Sequence, residues 1–332
     1  MPLLSFPEEY FKGEERNGFY IEPLMKMAWA AQLEVFAKVR EVCQRHGIIV
    51  YTDFGTTLGA VRHKGYIPWD DDFDVTMFRN DAMRFIRYAK AELPEGYQVI
   101  NCHDWGNYEQ VIIRVTNADY IHLDEEFRRE YHGFPFAAGI DIFVLDYIPD
   151  DPEQFEMMKS LLHIARACLV SHLHYDEHTD EMRDQFVNVL QDSLGVSFDR
   201  EGDMVKQSAE LIDSISAMYG SGESSRVAIP YRLTYLSEDC VVHPIKYYAD
   251  IIEQPFEGIT TVPVPIGYHE LMTQEFGDYT ELRCYPAHDY PFYASQMKIL
   301  KNWLAEQGAT LSDVNVPDIE NEHPFENVHI HE

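Results

Sequence analysis

The sequence predicts an α+β protein, a mixed β-sheet flanked by helices, with a helical insertion and a C-terminal extension. Three observations lead there. Helical and strand-like patterns alternate through residues 1–150, helical spacing alone fills 152–220, and strand-like runs return between Arg226 and Val264. The chain accordingly divides into a core at 1–150, a helical insertion or cap at 151–225, a part at 226–310 that completes the core, and an acidic tail at 311–332.

Each element has its own signal. Apolar residues recur with a 3.6-residue period at Leu24, Met25, Ala28, Trp29, Ala31, Val35, Phe36, Val39 and Val42, which predicts a helix within Ile21–Gly47, with Pro23 in its first turn and Gly47 as its stop. The β-branched run from Ile48 to Phe54 reads as a buried strand leading into Gly55-Thr56-Thr57-Leu58-Gly59-Ala60, a glycine turn and short helix. Asp72 to Phe78 alternates as a strand does, and Asn80 can cap a helix that runs to about Leu93. Further strands are expected at Tyr97–His103, Gln110–Thr116, Tyr120–Leu123 and Gly139–Ile148. Two to four helices, broken near Thr179 and Gly195, should fill Pro152–Gly220, and Tyr268–Phe276 should form another. The tail beyond Leu311 is expected to be loosely held.

Composition narrows the function classes. With 26 Lys and Arg against 57 Asp and Glu, the net charge is −31, a field that repels nucleic acid and anionic lipid surfaces. An anionic small molecule remains acceptable where a divalent cation or a local basic cluster inverts that field. Five scattered cysteines without a C-x-x-C pair indicate neither a disulfide framework nor a zinc ribbon, and fit a reducing compartment. The first residues lack a signal-peptide pattern, and no stretch is long and apolar enough to span a bilayer, so the protein is expected to be cytoplasmic.

The densest chemical signal is Gly55-Thr56-Thr57 followed by Trp69-Asp70-Asp71-Asp72-Phe73-Asp74-Val75. In a strand, Asp72 and Asp74 project from one face while Phe73 and Val75 anchor the other. Two adjacent carboxylates repel unless a cation sits between them, and Mg²⁺ or Mn²⁺ prefers oxygen ligands shared with substrate phosphates. The upstream glycine-hydroxyl turn offers backbone N–H groups to a phosphate. A third acid is available at Asp141 or Asp146 in the run Gly139 to Asp146, and Asp141 is preferred because buried Ile140 and Ile142 turn it to the opposite face. The competing reading is that Asp141 pairs with an arginine for structural reasons alone. Three carboxylates around one or two metals would suit phosphoryl transfer.

The stretch from Gly55 through Arg62-His63-Lys64-Gly65-Tyr66-Ile67-Pro68-Trp69 to Val75 resembles the signature of the LicD family. The likeness continues through Ile140-Asp141-Ile142-Phe143 and, more weakly, Val262-Pro263-Val264-Pro265 and Phe276-Gly277-Asp278-Tyr279, spanning residues 20–290. The resemblance implies a nucleotidyltransferase-like core that moves a phospho-alcohol group, most often phosphocholine, from a CDP-linked donor to a hydroxyl of a cell-surface glycan or its lipid-linked precursor. It implies Asp72, Asp74 and Asp141 as metal-binding acids and Gly55 and Thr56 as the donor-phosphate turn. Arg62, His63 and Lys64 would be the basic segment facing phosphate oxygens. Asp141 or Asp71 would take the hydroxyl proton. Thr57 departs from the family, where a bulky aliphatic is common, and the 152–220 segment matches no family motif.

Weaker signals favour plainer readings. His172, His174 and His178 lie near one another in sequence, but no further ligand completes a metal site, and His329 and His331 belong to the tail. Most of the 21 tyrosines and 4 tryptophans are core, so a choline cage is not read from their number. Two other functions remain: a nucleotidyltransferase that releases pyrophosphate from a nucleoside triphosphate, and a non-catalytic binding protein of the same fold.

Overall fold

The computed structural model describes residues 1–319 apart from 107, 109 and 285–289, and at Cys240 the backbone alone. The expectations for 320–332, including His329 and His331, lie outside the described residues.

A small hairpin, β1 (Glu14–Arg16) and β2 (Phe19–Ile21), turns on Asn17 and Gly18, both at positive φ, as a two-residue hairpin loop requires. Next comes α1 (Pro23–His46), nearly all of whose apolar positions are buried; Gly47 closes it in the left-handed conformation. The remaining strands are β3 (Tyr51–Thr52), β4 (Asp74–Phe78), β5 (Gln98–Ile100), β6 (Ile113–Thr116), β7 (Gly139–Ile148), β8 (Arg226–Ala228), β9 (His243–Pro244), β10 (Ile251–Phe256) and β11 (Thr260–Pro265). The other helices are α2 (Phe54–Arg62), α3 (Arg79–Glu92), α4 (Glu125–Glu130), α5 (Pro152–Leu173), α6 (Asp180–Leu194), α7 (Met204–Ser216), α8 (Glu238–Val241), α9 (Tyr268–Phe276) and α10 (Ala294–Glu306).

The main sheet runs β3-β4-β7-β6-β5, with β8 and β9 continuing from the far half of β7. Only β4 and β7 pair in parallel; the other ladders are antiparallel, so the sheet is mixed, as expected. Strand β7 is the spine: its first half binds β4 and β6, its last three residues bind β8. Its alternation buries Ile140, Ile142, Val144 and Ile148. The hairpin β10–β11 lies beside this sheet, where the buried Thr52 hydroxyl donates to the Pro263 carbonyl at 3.3 Å.

Helices α5, α6 and α7 pack in a second hydrophobic cluster, built on Met158, Leu162, Ala165, Leu190, Ala209 and Ile212 and continued onto the sheet by Ile148 of β7 and Ala228 of β8. Thr179 caps α6 and Gly195 ends it, so the two predicted breaks fall where the helices part. An ion network joins this bundle to the sheet. Arg79, at the start of α3, donates from Nε to Asp146 of β7 at 2.5 Å and from Nη1 to Asp213 of α7 at 3.0 Å. His103 reaches the same Asp213 at 2.9 Å, and that hydrogen bond, ahead of Cys102, raises its imidazole to about 10. Burial pushes Asp146 up to about 6 even though Arg79 opposes it.

Six expectations are corrected. The Ile48–Phe54 strand shortens to Tyr51–Thr52, because it pairs only with Thr76 and Val75 and Asp53 then leaves to cap α2. The strand expected at Asp72 begins at Asp74, and Tyr97–His103 and Gln110–Thr116 contract to Gln98–Ile100 and Ile113–Thr116. Tyr120–Leu123 is not a strand: His122 is stacked between Tyr120 and Phe127, 4.1 Å from each ring, and its N–H donates to the Pro135 carbonyl. Helix α3 starts at Arg79, before Asn80, with no side-chain cap. Helix α10 was not anticipated, although Met297, Leu300 and Leu304 show its period. No described helix is long and apolar enough to cross a membrane.

Arg79→Met should destabilise the protein by about 3–5 kcal/mol in denaturant melts at neutral pH, since it strands buried Asp146 and leaves Asp213 with His103 alone. Without the guanidinium Asp146, already raised by burial, would hold its proton more tightly still in the folded state, so the variant's stability should fall as pH rises from the ordinary carboxylate range. The loss should therefore shrink at about pH 5. A loss that does not change with pH would show that packing, not charge, fixes the bundle.

Candidate active site

The predicted glycine turn is the first turn of α2. Asp53 caps the helix by accepting the Phe54 N–H at 2.9 Å, and Phe54 itself stands at φ 40°, a strained position for a bulky residue. Gly55 and Thr56 thus open the helix, which presents Phe54 and Gly55 to a cavity of about 710 Å³. A Cβ on Gly55 would lie 2.3 Å from Asp70 Oδ2, and one on Gly59 would lie 2.4 Å from the Gly65 carbonyl oxygen. The two glycines let the 63–70 loop lie flat against α2 and carry the acidic run to its start.

Asp70, Asp72 and Asp74 all line this cavity, while Phe73 and Val75 are buried on the other side, as the alternation predicts. The backbone of Asp74 is held at both ends: its N–H donates to Thr56 Oγ1 at 2.8 Å and its carbonyl accepts from the Asp53 N–H at 3.1 Å. Thr56 is buried, and its side-chain oxygen serves the acid strand. Thr57, the departure from the family pattern, is satisfied because its hydroxyl donates to Thr52 Oγ1 at 2.8 Å.

Asp141 is the β7 partner of Asp74 across the parallel ladder. It is also the β6 partner of Arg114, whose Nε and Nη2 grip its two oxygens at 2.6 Å each. The arginine pairing weighed from the sequence is therefore present, beside the other acids. Burial pushes the Asp74 carboxyl well above the ordinary carboxylate range, and the charges of Asp72, Asp141, Asp70 and Asp53 add to it. Among the described residues no group of three or more His, Cys, Asp or Glu side chains is already arranged to hold a metal. The fit to a cation lies in the donor chemistry: an all-carboxylate set whose buried member resists ionisation alone matches a hard divalent ion.

The predicted basic segment divides. Arg62 lines the cavity, but its Nη1 donates to the Tyr279 and Glu281 carbonyls at 2.9 Å, so it anchors the loop beyond α9. His63 and Lys64 line a separate shallow cleft with Arg16 and Glu257. Burial, reinforced by Arg62 and Arg16, lowers His63 to about 4, which leaves it neutral near pH 7. Asp71, considered as a base, is buried away from the cavity lining and accepts the Phe292 N–H at 2.5 Å. His174 and its neighbours form no metal cluster among the described residues.

Sequence reasoning missed Arg232. It comes from a 3₁₀ turn at Pro230–Thr234, lies 4.3 Å over the Phe54 ring and is held by Glu275 of α9 at 2.6 Å. Burial, then the Glu275 charge, raises the nearby Asp53 to about 7. Tyr231, Tyr235, Phe276 and Tyr279 complete an aromatic wall. Only the Phe276–Tyr279 motif gave any sequence hint of this wall; the 230–235 segment carries no recognisable pattern.

A family model described as the LicD/FKTN/FKRP nucleotidyltransferase domain matches residues 47–168, which hold the acidic run, β7 and most of α5. The lipopolysaccharide cholinephosphotransferase LicD of Haemophilus influenzae is 27% identical over 261 residues, covering 75% of this chain and 89% of that protein. Uncharacterised proteins of Rickettsia typhi and Rickettsia prowazekii are each 32% identical over 66 residues, 20% of this chain and 21% and 25% of theirs.

The raised Asp74 carboxyl predicts a metal-sensitive stability. Its folded-state pKa exceeds the unfolded value, so the metal-free protein loses stability as pH rises through that interval. In EDTA at pH 8, Asp74→Asn should melt about 2–6 °C above the parent, whereas saturating MgCl₂ should stabilise the parent and leave the variant unmoved. Equal Mg²⁺ responses in the two proteins would exclude Asp74 as a ligand.

Proposed function

We propose, because residues 47–168 match the LicD/FKTN/FKRP nucleotidyltransferase domain, that this chain is a phosphotransferase that moves phosphocholine to a glycan hydroxyl. The finer proposal is that the donor is CDP-linked, that CMP leaves, and that Mg²⁺ or Mn²⁺ is required. The acceptor is a cell-surface glycan or its lipid-linked precursor, and the reaction takes place in the cytoplasm, where Cys43, Cys102, Cys168 and Cys284 stay free thiols.

The observation that carries the reading is the convergence on one cavity of Asp72, Asp74, the N-terminus of α2 and Arg232. Asp72 and Asp74, with Asp141 as the third acid, would hold the cation. When bound, it would offset charge on the donor diphosphate and on the departing CMP. The chain's own groups do the positioning. The N-terminal turn of α2 faces a phosphate with its positive end. Arg232, oriented by Glu275, faces phosphate oxygens. The aromatic wall of Tyr231, Tyr235 and Tyr279 suits a quaternary ammonium through cation–π attraction. Arg114 fixes the orientation of Asp141. The acceptor oxygen attacks the transferred phosphorus in line, the bond to CMP breaks, and a carboxylate of this set takes the hydroxyl proton.

A screen of CDP-choline, CDP-ethanolamine, CDP-glycerol and CDP-ribitol with Mg²⁺ or Mn²⁺ should show CMP release, fastest with CDP-choline. EDTA should abolish it, and Asp74→Asn should lower kcat by about 10³-fold or more. Full turnover in that variant would overturn the mechanism. Pyrophosphate release from a nucleoside triphosphate would instead make the protein a nucleotidyltransferase.

A further inference from the structure

A second cavity, of about 420 Å³, lies between the sheet and the α5–α7 bundle. It shares Phe143, Tyr231 and Tyr235 with the acidic cavity. Asp141 lines the second cavity while Asp72 and Asp74 line the first. Because Asp74 and Asp141 are direct partners across β4 and β7, the two cavities meet at the acids.

Their charge balance differs. The first cavity is lined by the acids Asp70, Asp72, Asp74, Glu275, Asp278 and Glu281 against Arg62, Arg232 and Arg283, an excess of negative charge that favours cationic groups. The second has a single acid, Asp141, already gripped at both oxygens by Arg114. Its free charge is Arg166 of α5, whose guanidinium lies 5.5 Å from the Tyr235 ring and forms no ion pair with a described carboxylate. In a chain of net charge −31, a cavity whose one acid is neutralised by Arg114 and whose one arginine meets no described carboxylate offers a local place for an anion.

We propose that this second cavity is the acceptor subsite and that it takes a sugar carrying a phosphate or carboxylate, the ring against Tyr231 and Tyr235 and the anionic substituent on Arg166. The inference rests on the phosphotransferase reading for its place in the reaction. Its physical content, recognition of an anionic sugar, stands apart from turnover. Hydroxylated rings pack their C–H faces on tyrosine, and arginine binds both oxyanion classes through paired N–H donors. A hydroxyl of such a sugar would lie next to Asp141, at the boundary with the donor cavity.

The test is binding without metal or nucleotide, so it needs no turnover. Glucose 6-phosphate, glucuronic acid and glucose would be titrated against the full chain in EDTA, with saturation-transfer NMR as the readout. Both anionic sugars should bind more tightly than glucose, and the stronger of the two identifies the substituent class. Arg166→Gln should weaken the anionic sugars by about tenfold or more and leave glucose unchanged. Tyr235→Ala should weaken all three. Lys298→Gln, the same charge change at an exposed site on α10, should have no effect. The proposal is overturned if Arg166→Gln leaves anionic binding intact, if Lys298→Gln weakens it equally, or if neither anionic sugar binds more tightly than glucose. Absence of CMP release from every CDP-linked donor would refute the donor reading and leave these titrations unaffected.

Discussion

The candidate site depends on the parallel pairing of β4 with β7. That ladder sets Asp74 opposite Asp141, and the antiparallel ladder on the other side of β7 sets Arg114 opposite Asp141 in turn. A one-residue slip in either strand would turn its carboxylate to the core face, where Phe73, Val75, Ile140 and Ile142 now pack. The contacts around Asp74 secure this register: Thr56 accepts its N–H, Asp53 donates to its carbonyl, and the Asp141 N–H donates to the Phe73 carbonyl at 3.1 Å. Helix and sheet are thereby joined through backbone groups of the acidic run itself.

Such a site carries an electrostatic cost that the fold tolerates without removing. Asp74 is buried beside other carboxylates, and Asp53 is raised by burial and by Glu275. Nearby arginines already have acceptors: Arg114 grips Asp141, Arg62 the loop carbonyls and Arg232 Glu275. Destabilised charge at a cavity wall is what a cation-dependent site would show before it is loaded, and it is uncommon where charge serves stability alone.

Much of this was legible in the sequence because it is written in short-range periods. Alternation placed Asp72 and Asp74 on one face, the 3.6-residue period located α1, and Thr179 and Gly195 marked the ends of α6. What was not legible depends on partners distant in the chain. Arg114 faces Asp141 across 27 residues, and Arg232 reaches Glu275 across 43. Nothing local distinguishes either arginine from a solvated one. The division of Arg62, His63 and Lys64 among different surroundings has the same cause: consecutive residues at a helix end diverge, and Lys64 turns the chain with φ 60°. The helix start at Phe54 was misplaced because Asp53 reads equally well as a strand end and as a cap.

The α5–α7 bundle shares its apolar interior with Ile148 of β7 and Ala228 of β8, and the ion network at Arg79 bridges it to the sheet as well. No residue of β4 or α2 belongs to that cluster, so substitutions within the segment, Arg166 included, leave the acid strand and the α2 turn in place. On the proposal that the second cavity takes the acceptor, selectivity for what receives the group can drift while the machinery that releases it stays fixed.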